Sequence, residues 1–143
     1  MVTKKEYKKM SEKASPDSNT IKNFIFAFVT GGTICIIGQA VLDILKYMDI
    51  SEEKAFGLTS IILIAASALF TGLGLYEKLA KHAGAGTLVP ITGFSNAVSS
   101  SALEARSEGY VLGVGAKIFS IAGPVILYGT AASAVYGAIL LFI

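Results

Sequence analysis

Three stretches of this chain carry no charged side chain at all: Phe24 to Leu42, Ala55 to Tyr76, and Ile118 to Ile143. A helix that crosses a bilayer needs about 20 predominantly apolar residues. All three runs are of that order, so a membrane assignment does not rest on a single window. Charged residues make up 15% of the chain and mean hydropathy is +0.65, whereas soluble domains carry about 25% charged residues. The expected fold is all-α: a polytopic membrane helix bundle with three full spans and one irregular, broken membrane segment.

The charge that remains is unevenly placed. Lys4, Lys5, Lys8, Lys9, Lys13 and Lys22 crowd the first 22 positions. Residues 1–20 read as a polar, basic tail that fixes topology, and KKEYKKMSEK within it could also form a short interfacial helix. Ser15-Pro16-Asp17-Ser18 would stop such a helix, since proline lacks a donor and restricts its predecessor, and Ser18 or Asn19 would cap the next one. Residues 21–143 form one transmembrane domain, with helices expected at about 21–46, 55–76, 87–103 (irregular) and 118–142. The tail is too long and too acidic, with Glu6, Glu12 and Asp17, for a cleaved signal. Lysine and arginine bias the cytoplasmic side. This puts the N-terminus inside, the linker with Lys46 and Lys54 outside, and the linker with Lys78 and Lys81 inside.

The stretch from Gly84 to Ser101, GAGTLVPITGFSNAVSSS, differs in kind. It is short for a span, interrupted by Pro90 and Gly93, and polar at Thr92, Ser95, Asn96, Ser99 and Ser100. Broken helices persist at membrane depth only when buried in protein or lining a wet cavity. The stretch is read as an irregular crossing, with a re-entrant hairpin as the alternative. Its second half would present helix N-terminal amides that favour anions. Pro90, Thr92, Ser95, Asn96 and Ser99 are therefore candidate pathway residues, and a passive interfacial helix is the bland alternative. Lys117 joins them as a cation at the head of the last span, either facing a cavity or snorkelling to a headgroup. Asp43 and Gln39, four residues apart, read as interfacial, and Arg106 as part of a solvated loop or a pore mouth. Gly129, Ser133 and Gly137 recur every fourth residue, a spacing that lets membrane helices approach closely.

No enzyme chemistry is legible. One histidine and one cysteine, Cys35, cannot build a metal cluster, and no phosphate loop, nucleophile elbow or zincin motif is present. No catalytic residue, metal or cofactor is assigned. Nucleic acid is not an expected partner, because the basic tail is better matched to topology or anionic headgroups.

Gly84-Ala85-Gly86-Thr87-Leu88-Val89-Pro90-Ile91-Thr92-Gly93-Phe94-Ser95-Asn96 resembles the signature of the SpoVA sporulation membrane proteins. So do Glu108-Gly109-Tyr110-Val111-Leu112-Gly113-Val114-Gly115 and Ile121-Ala122-Gly123-Pro124-Val125. The lysine-rich head with Glu6-Tyr7, then Phe28 to Cys35 and Ile37-Gly38-Gln39, looks more like the AC branch of the family than the AEb branch. The resemblance implies a multi-pass protein of the forespore and spore inner membrane. It implies a channel, opened by membrane tension, that moves dipicolinic acid with calcium into the spore and out at germination. The implied partners are the AEb and soluble AD proteins, in a homo- or hetero-oligomer. No residue roles come with the resemblance. A non-conducting structural subunit that anchors the complex is the alternative.

Overall fold

The computed structural model describes residues 3–14 and 19–142. They form α1 (Lys4–Ala14), α2 (Thr20–Tyr47), α3 (Glu52–Gly72), α4 (Leu75–Ala83), α5 (Ala85–Leu88) and α6 (Ile91–Glu104). A 3-10 turn (Ala105–Glu108) and a π-helical turn (Tyr110–Gly115) then lead into α7 (Ala116–Leu140). The fold is all-α, with no strand among the described residues. Three helices are long and apolar enough to cross a membrane: Thr20–Tyr47, Glu52–Gly72 and Tyr110–Leu140.

Local chemistry sets the boundaries. Asn19 caps α2, its side chain accepting from the Lys22 amide at 3.2 Å. The stop expected at Ser15–Ser18, and Ser18 as the other candidate cap, lie outside the described residues. The turn from α2 to α3 passes through Asp49 at φ 59°, a left-handed conformation that aspartate tolerates better than most residues. Lys46 and Glu52 then bridge it at 2.7 Å.

The run expected as one helix over 55–76 is split. Gly74, at φ 68°, takes a left-handed conformation that ends α3 and restarts the chain as α4, because no α-helix continues through such a residue. Tyr76 thus stands in the first turn of α4 instead of at the end of a span. The run expected at 87–103 begins earlier as α5, breaks at Val89–Pro90, and resumes as α6.

The distribution of side chains is inverted relative to a soluble protein. Phe24, Phe28, Ile36, Leu69, Phe119 and Tyr136 are all exposed, whereas Thr59, Ser67, Thr87, Thr92 and Ser95 are buried. Lipid tails are as apolar as leucine, so membrane helices gain little by hiding leucine and pack instead through small and hydroxyl-bearing residues.

α2 and α3 pack together, and the side chain of Leu63 fills the space over Gly38. α6 lies along α3, while α5 lies against α2. There Gly86 meets Ala27 so closely that a Cβ on Gly86 would collide with the Ala27 carbonyl. α7 packs on α6 through its first turns, and from Pro124 to Phe142 every residue is exposed.

Replacing Gly86 by alanine should therefore cost about 1–3 kcal/mol, the usual range for overpacking a tight contact. Gly32→Ala, in the same region of α2 but with nothing within 4 Å of the added Cβ, should be neutral or stabilising, since alanine is the better helix former. Thermal unfolding of the two variants in one detergent checks the contrast.

Candidate functional site

The site grows from the interruption between Gly84 and Pro90. Gly84, at φ 51° and ψ −123°, ends α4 in backbone territory that side-chain-bearing residues avoid. One short turn follows, and Val89 closes it by donating to the Ala85 carbonyl at 3.2 Å. Pro90 then opens α6 at φ −64° and ψ 160°. Proline brings no N–H, so the Gly86 carbonyl loses its natural i+4 donor. That carbonyl lies over the bare backbone of Gly31 in α2. The Thr87 carbonyl faces the same difficulty, because the helical path to Ile91 is broken.

A side chain from α4 meets this need at Thr87, and hydroxyls of α3 and α6 tie the two helices together beside it. The buried Tyr76 hydroxyl lies 2.8 Å from the Thr87 carbonyl and 3.1 Å from Thr92 Oγ1. A phenol has one proton. Tyr76 gives it to the carbonyl, and Thr92 can donate to Tyr76 in turn. The Ser67 hydroxyl donates to the Thr92 carbonyl at 2.6 Å, and Ser95 donates to the Ile64 carbonyl at 2.9 Å. Thr71 Oγ1 lies 2.8 Å from both the Ser67 carbonyl and the Asn96 side-chain oxygen. Its single proton serves one of them, and turning the Asn96 amide so that its N–H donates to Thr71 satisfies both. Thr87 itself closes back on the Gly84 carbonyl at 2.9 Å. No buried side-chain oxygen or nitrogen is left without a partner among the described residues.

Two hollows flank the network. One, of about 180 Å³, is lined by Ile34, Ile37, Leu63, Phe70 and Leu79 with Ser67, Tyr76 and Thr92 at its edge, and is almost wholly apolar. The other is a half-open recess of about 400 Å³ between the end of α3, α4 and α6. Asn96, Thr71, Ser100 and Glu77 line it, and Lys81 pairs with Glu77 at 3.1 Å.

Of the residues singled out from sequence, Thr92 and Ser95 are buried in this network and Asn96 is half-buried at the rim of the recess. Pro90 caps α6 beside them, and Ser99 is half-buried further along it. Lys117 is not brought to the network. It is exposed in the first turn of α7, where its carbonyl accepts from Ser120 at 2.8 Å. Gly129, Ser133 and Gly137 lie on the exposed part of α7, with nothing from this chain within 4 Å of where a Cβ on either glycine would stand. Gln39 donates to Asp43 at 2.8 Å on an exposed face of α2.

Four members of the network, Ser67, Thr71, Tyr76 and Thr87, are not among the candidates from sequence. The available signal was an i, i+4 pair of hydroxyls in a span that also holds Thr59 and Ser60, followed by a tyrosine two residues after a glycine. Tyr76→Phe should leave the Thr87 carbonyl unpaired and destabilise by about 1–3 kcal/mol. Ser67→Ala should cost less, because the Thr92 carbonyl keeps its place in the helical ladder of α6. Unfolding midpoints in a common detergent measure the order.

The sequence that builds this break has counterparts in known proteins. The model of the SpoVAC/SpoVAEB sporulation membrane protein family matches residues 23–139, which include the whole broken segment. The chain is 42% identical to stage V sporulation protein AC of Bacillus subtilis (strain 168) over 137 residues, 95% of this chain and 91% of that protein. No solved structure matches. On these grounds the chain belongs to the SpoVAC/SpoVAEB family of sporulation membrane proteins.

Proposed function

We propose that this protein is a subunit of the channel that carries dipicolinic acid, with calcium, into the forespore and out again at germination. In this reading its gate is the break between Gly84 and Pro90. The observation that carries the reading is the buried hydroxyl network around that break, with the Asn96 recess beside it. The cargo comes from the family resemblance. Dipicolinate is a small rigid dianion, and its passage wants neutral or cationic donors that do not trap it. The Asn96 amide offers such a donor, since one of its two N–H groups remains after Thr71 is satisfied, whereas the Thr71 and Ser100 hydroxyls donate to the Ser67 and Ala97 carbonyls. Lys117, exposed one helix away, is a cation that would serve at a mouth shared with other chains.

Magnitudes favour a movable element. Interhelical hydrogen bonds in membranes are worth about 0.6 kcal/mol on average. Five of them join α6 and α5 to α3 and α4. Together they hold the break with a few kcal/mol, within reach of a change in membrane tension or of a partner's binding. AEb and AD proteins are the partners the family suggests, and the spore inner membrane is the corresponding location.

Two features support a half-span for α6, with the N-terminus inside and the C-terminus outside. At 1.5 Å per residue its 14 residues rise about 21 Å, short of the ~30 Å hydrocarbon layer. A return to the entry side also puts Lys78, Lys81, Arg106 and Lys117 on the side of the basic tail, leaving Lys46 and Lys54 alone opposite. In a Cys35→Ser background, cysteines at Ser107 and at Phe142, which lies beyond the end of α7, should label from opposite faces of intact membranes. Labelling of Ser107→Cys from the face opposite the N-terminal tail would instead establish a full crossing.

A second reading, a non-conducting anchor, is favoured by the exposure of α7 from Pro124 onward, with the Gly129, Ser133 and Gly137 stripe on it. Liposomes loaded with dipicolinate separate the two. The conducting reading expects release on osmotic downshock from vesicles holding the protein with its AEb partner, and at least about tenfold slower release with Asn96→Leu, a barrier change of about 1.4 kcal/mol. Absence of release from the unaltered pair, together with loss of complex assembly in Gly137→Leu, would establish the anchor.

A further inference from the structure

Helix α1 begins on a capping box. The Thr3 amide and hydroxyl donate to Glu6 Oε2 at 2.9 and 2.8 Å, and the Glu6 amide returns to Thr3 Oγ1 at 3.4 Å. The Thr3 amide and hydroxyl together hold the Glu6 carboxyl below the ordinary carboxylate range. The helix that follows is only 11 residues long, and isolated helices of that length are marginal in water. Yet, among the described residues, α1 makes no extensive packing with another helix, and its described side chains are exposed. A capped helix of marginal length, with its described side chains exposed and no extensive helix packing among the described residues, calls for a surface to lie on.

Its faces indicate which surface. Tyr7, Met10 and Ala14 follow the i, i+3, i+7 spacing and share one face. Lys4 flanks that face on one side, Glu6 (held by the Thr3 cap) and then Lys9 lie on the other, and Lys5 lies behind. This is the pattern of a helix lying in a headgroup layer, with tyrosine at the interface and lysines reaching phosphates along its flanks. Geometry adds a tether. Five residues separate Ala14 from Thr20, where α2 begins, a reach of about 20 Å at full extension. Lys22 stands in the first turn of α2, 5.9 Å from the Phe26 ring, at the charged edge of the apolar run that begins at Phe24. α1 therefore cannot leave the neighbourhood of the bilayer surface, and the short tether keeps its effective concentration there high.

We propose that α1 is a membrane-surface helix that docks, Tyr7 and Met10 inward, on anionic phospholipid headgroups beside the start of α2. This gives the lysine-rich head a binding role beyond fixing orientation, and it does not depend on what the protein conducts.

The chain contains no tryptophan, so Tyr7→Trp in the full-length protein reports on α1 alone. Reconstituted into vesicles of phosphatidylcholine mixed with phosphatidylglycerol, it should show blue-shifted emission and several-fold stronger quenching by brominated acyl chains than in phosphatidylcholine alone. High salt, or Lys4→Glu with Lys9→Glu, should remove the difference while the protein still elutes as a folded species. Water-like emission in the mixed vesicles would overturn the proposal and point to a soluble partner for α1. Equal quenching in both lipids, unaffected by salt, would overturn the headgroup recognition.

Discussion

Hydrocarbon offers a backbone no hydrogen-bonding partner, and the architecture of this protein follows from how it meets that demand at one place. Along α2, α3 and most of α7 the demand is met by the helix itself. Between Gly84 and Pro90 it is not. Proline removes the donor that the Gly86 carbonyl would use, and the broken path strands the Thr87 carbonyl. The chain surrounds this break with α2, α3 and α4. Tyr76 supplies the missing donor to Thr87, and Gly31 and Gly86 remove the side chains that would hold α5 away from α2. Ser67, Thr71 and Ser95 tie α6 to α3. The split of α3 from α4 at Gly74 belongs to the same arrangement, because it turns Tyr76 from the end of a span into a buried donor aimed at the break.

The same economy explains why the buried set is so small and so polar. A bundle held by apolar burial would hide phenylalanine and leucine, as a soluble core does. Here most of those residues face outward, and Thr59, Ser67, Thr87, Thr92 and Ser95 share the interior with Leu42, Tyr76 and the small Ala55, Ala83 and Ala105. Such an interior is held by many weak bonds and close backbone approaches. An apolar hollow lies on one side of the network and a polar recess on the other.

Much of the candidate site was legible in the residues, though unevenly. Pro90, Thr92, Ser95 and Asn96 stood out because a proline and a row of hydroxyl and amide groups conflict with membrane depth, and that conflict is visible in one dimension. Ser67 and Thr71 did not stand out. Single hydroxyls within a span can satisfy themselves on the preceding turn, so they carry little local signal. Tyr76 read as the aromatic end of a span because nothing adjacent to it announces Thr87 or Thr92, 11 and 16 residues away. Lys117 was grouped with the polar segment by its charge, yet its side chain is exposed at the start of α7.

The sequence by itself determined the solvent: long charge-free runs at spanning length admit little other than lipid, and a lysine-crowded head biases orientation. It also determined where the regular structure has to fail, since Pro90 and the glycines about it act through local backbone geometry. Only the tertiary structure decided how that failure is repaired. The missing donor comes from Tyr76 on α4, the ties to α6 come from α3, and the space comes from Gly31 on α2 and Gly86 on α5, so their role depends on distances between helices that no local propensity encodes.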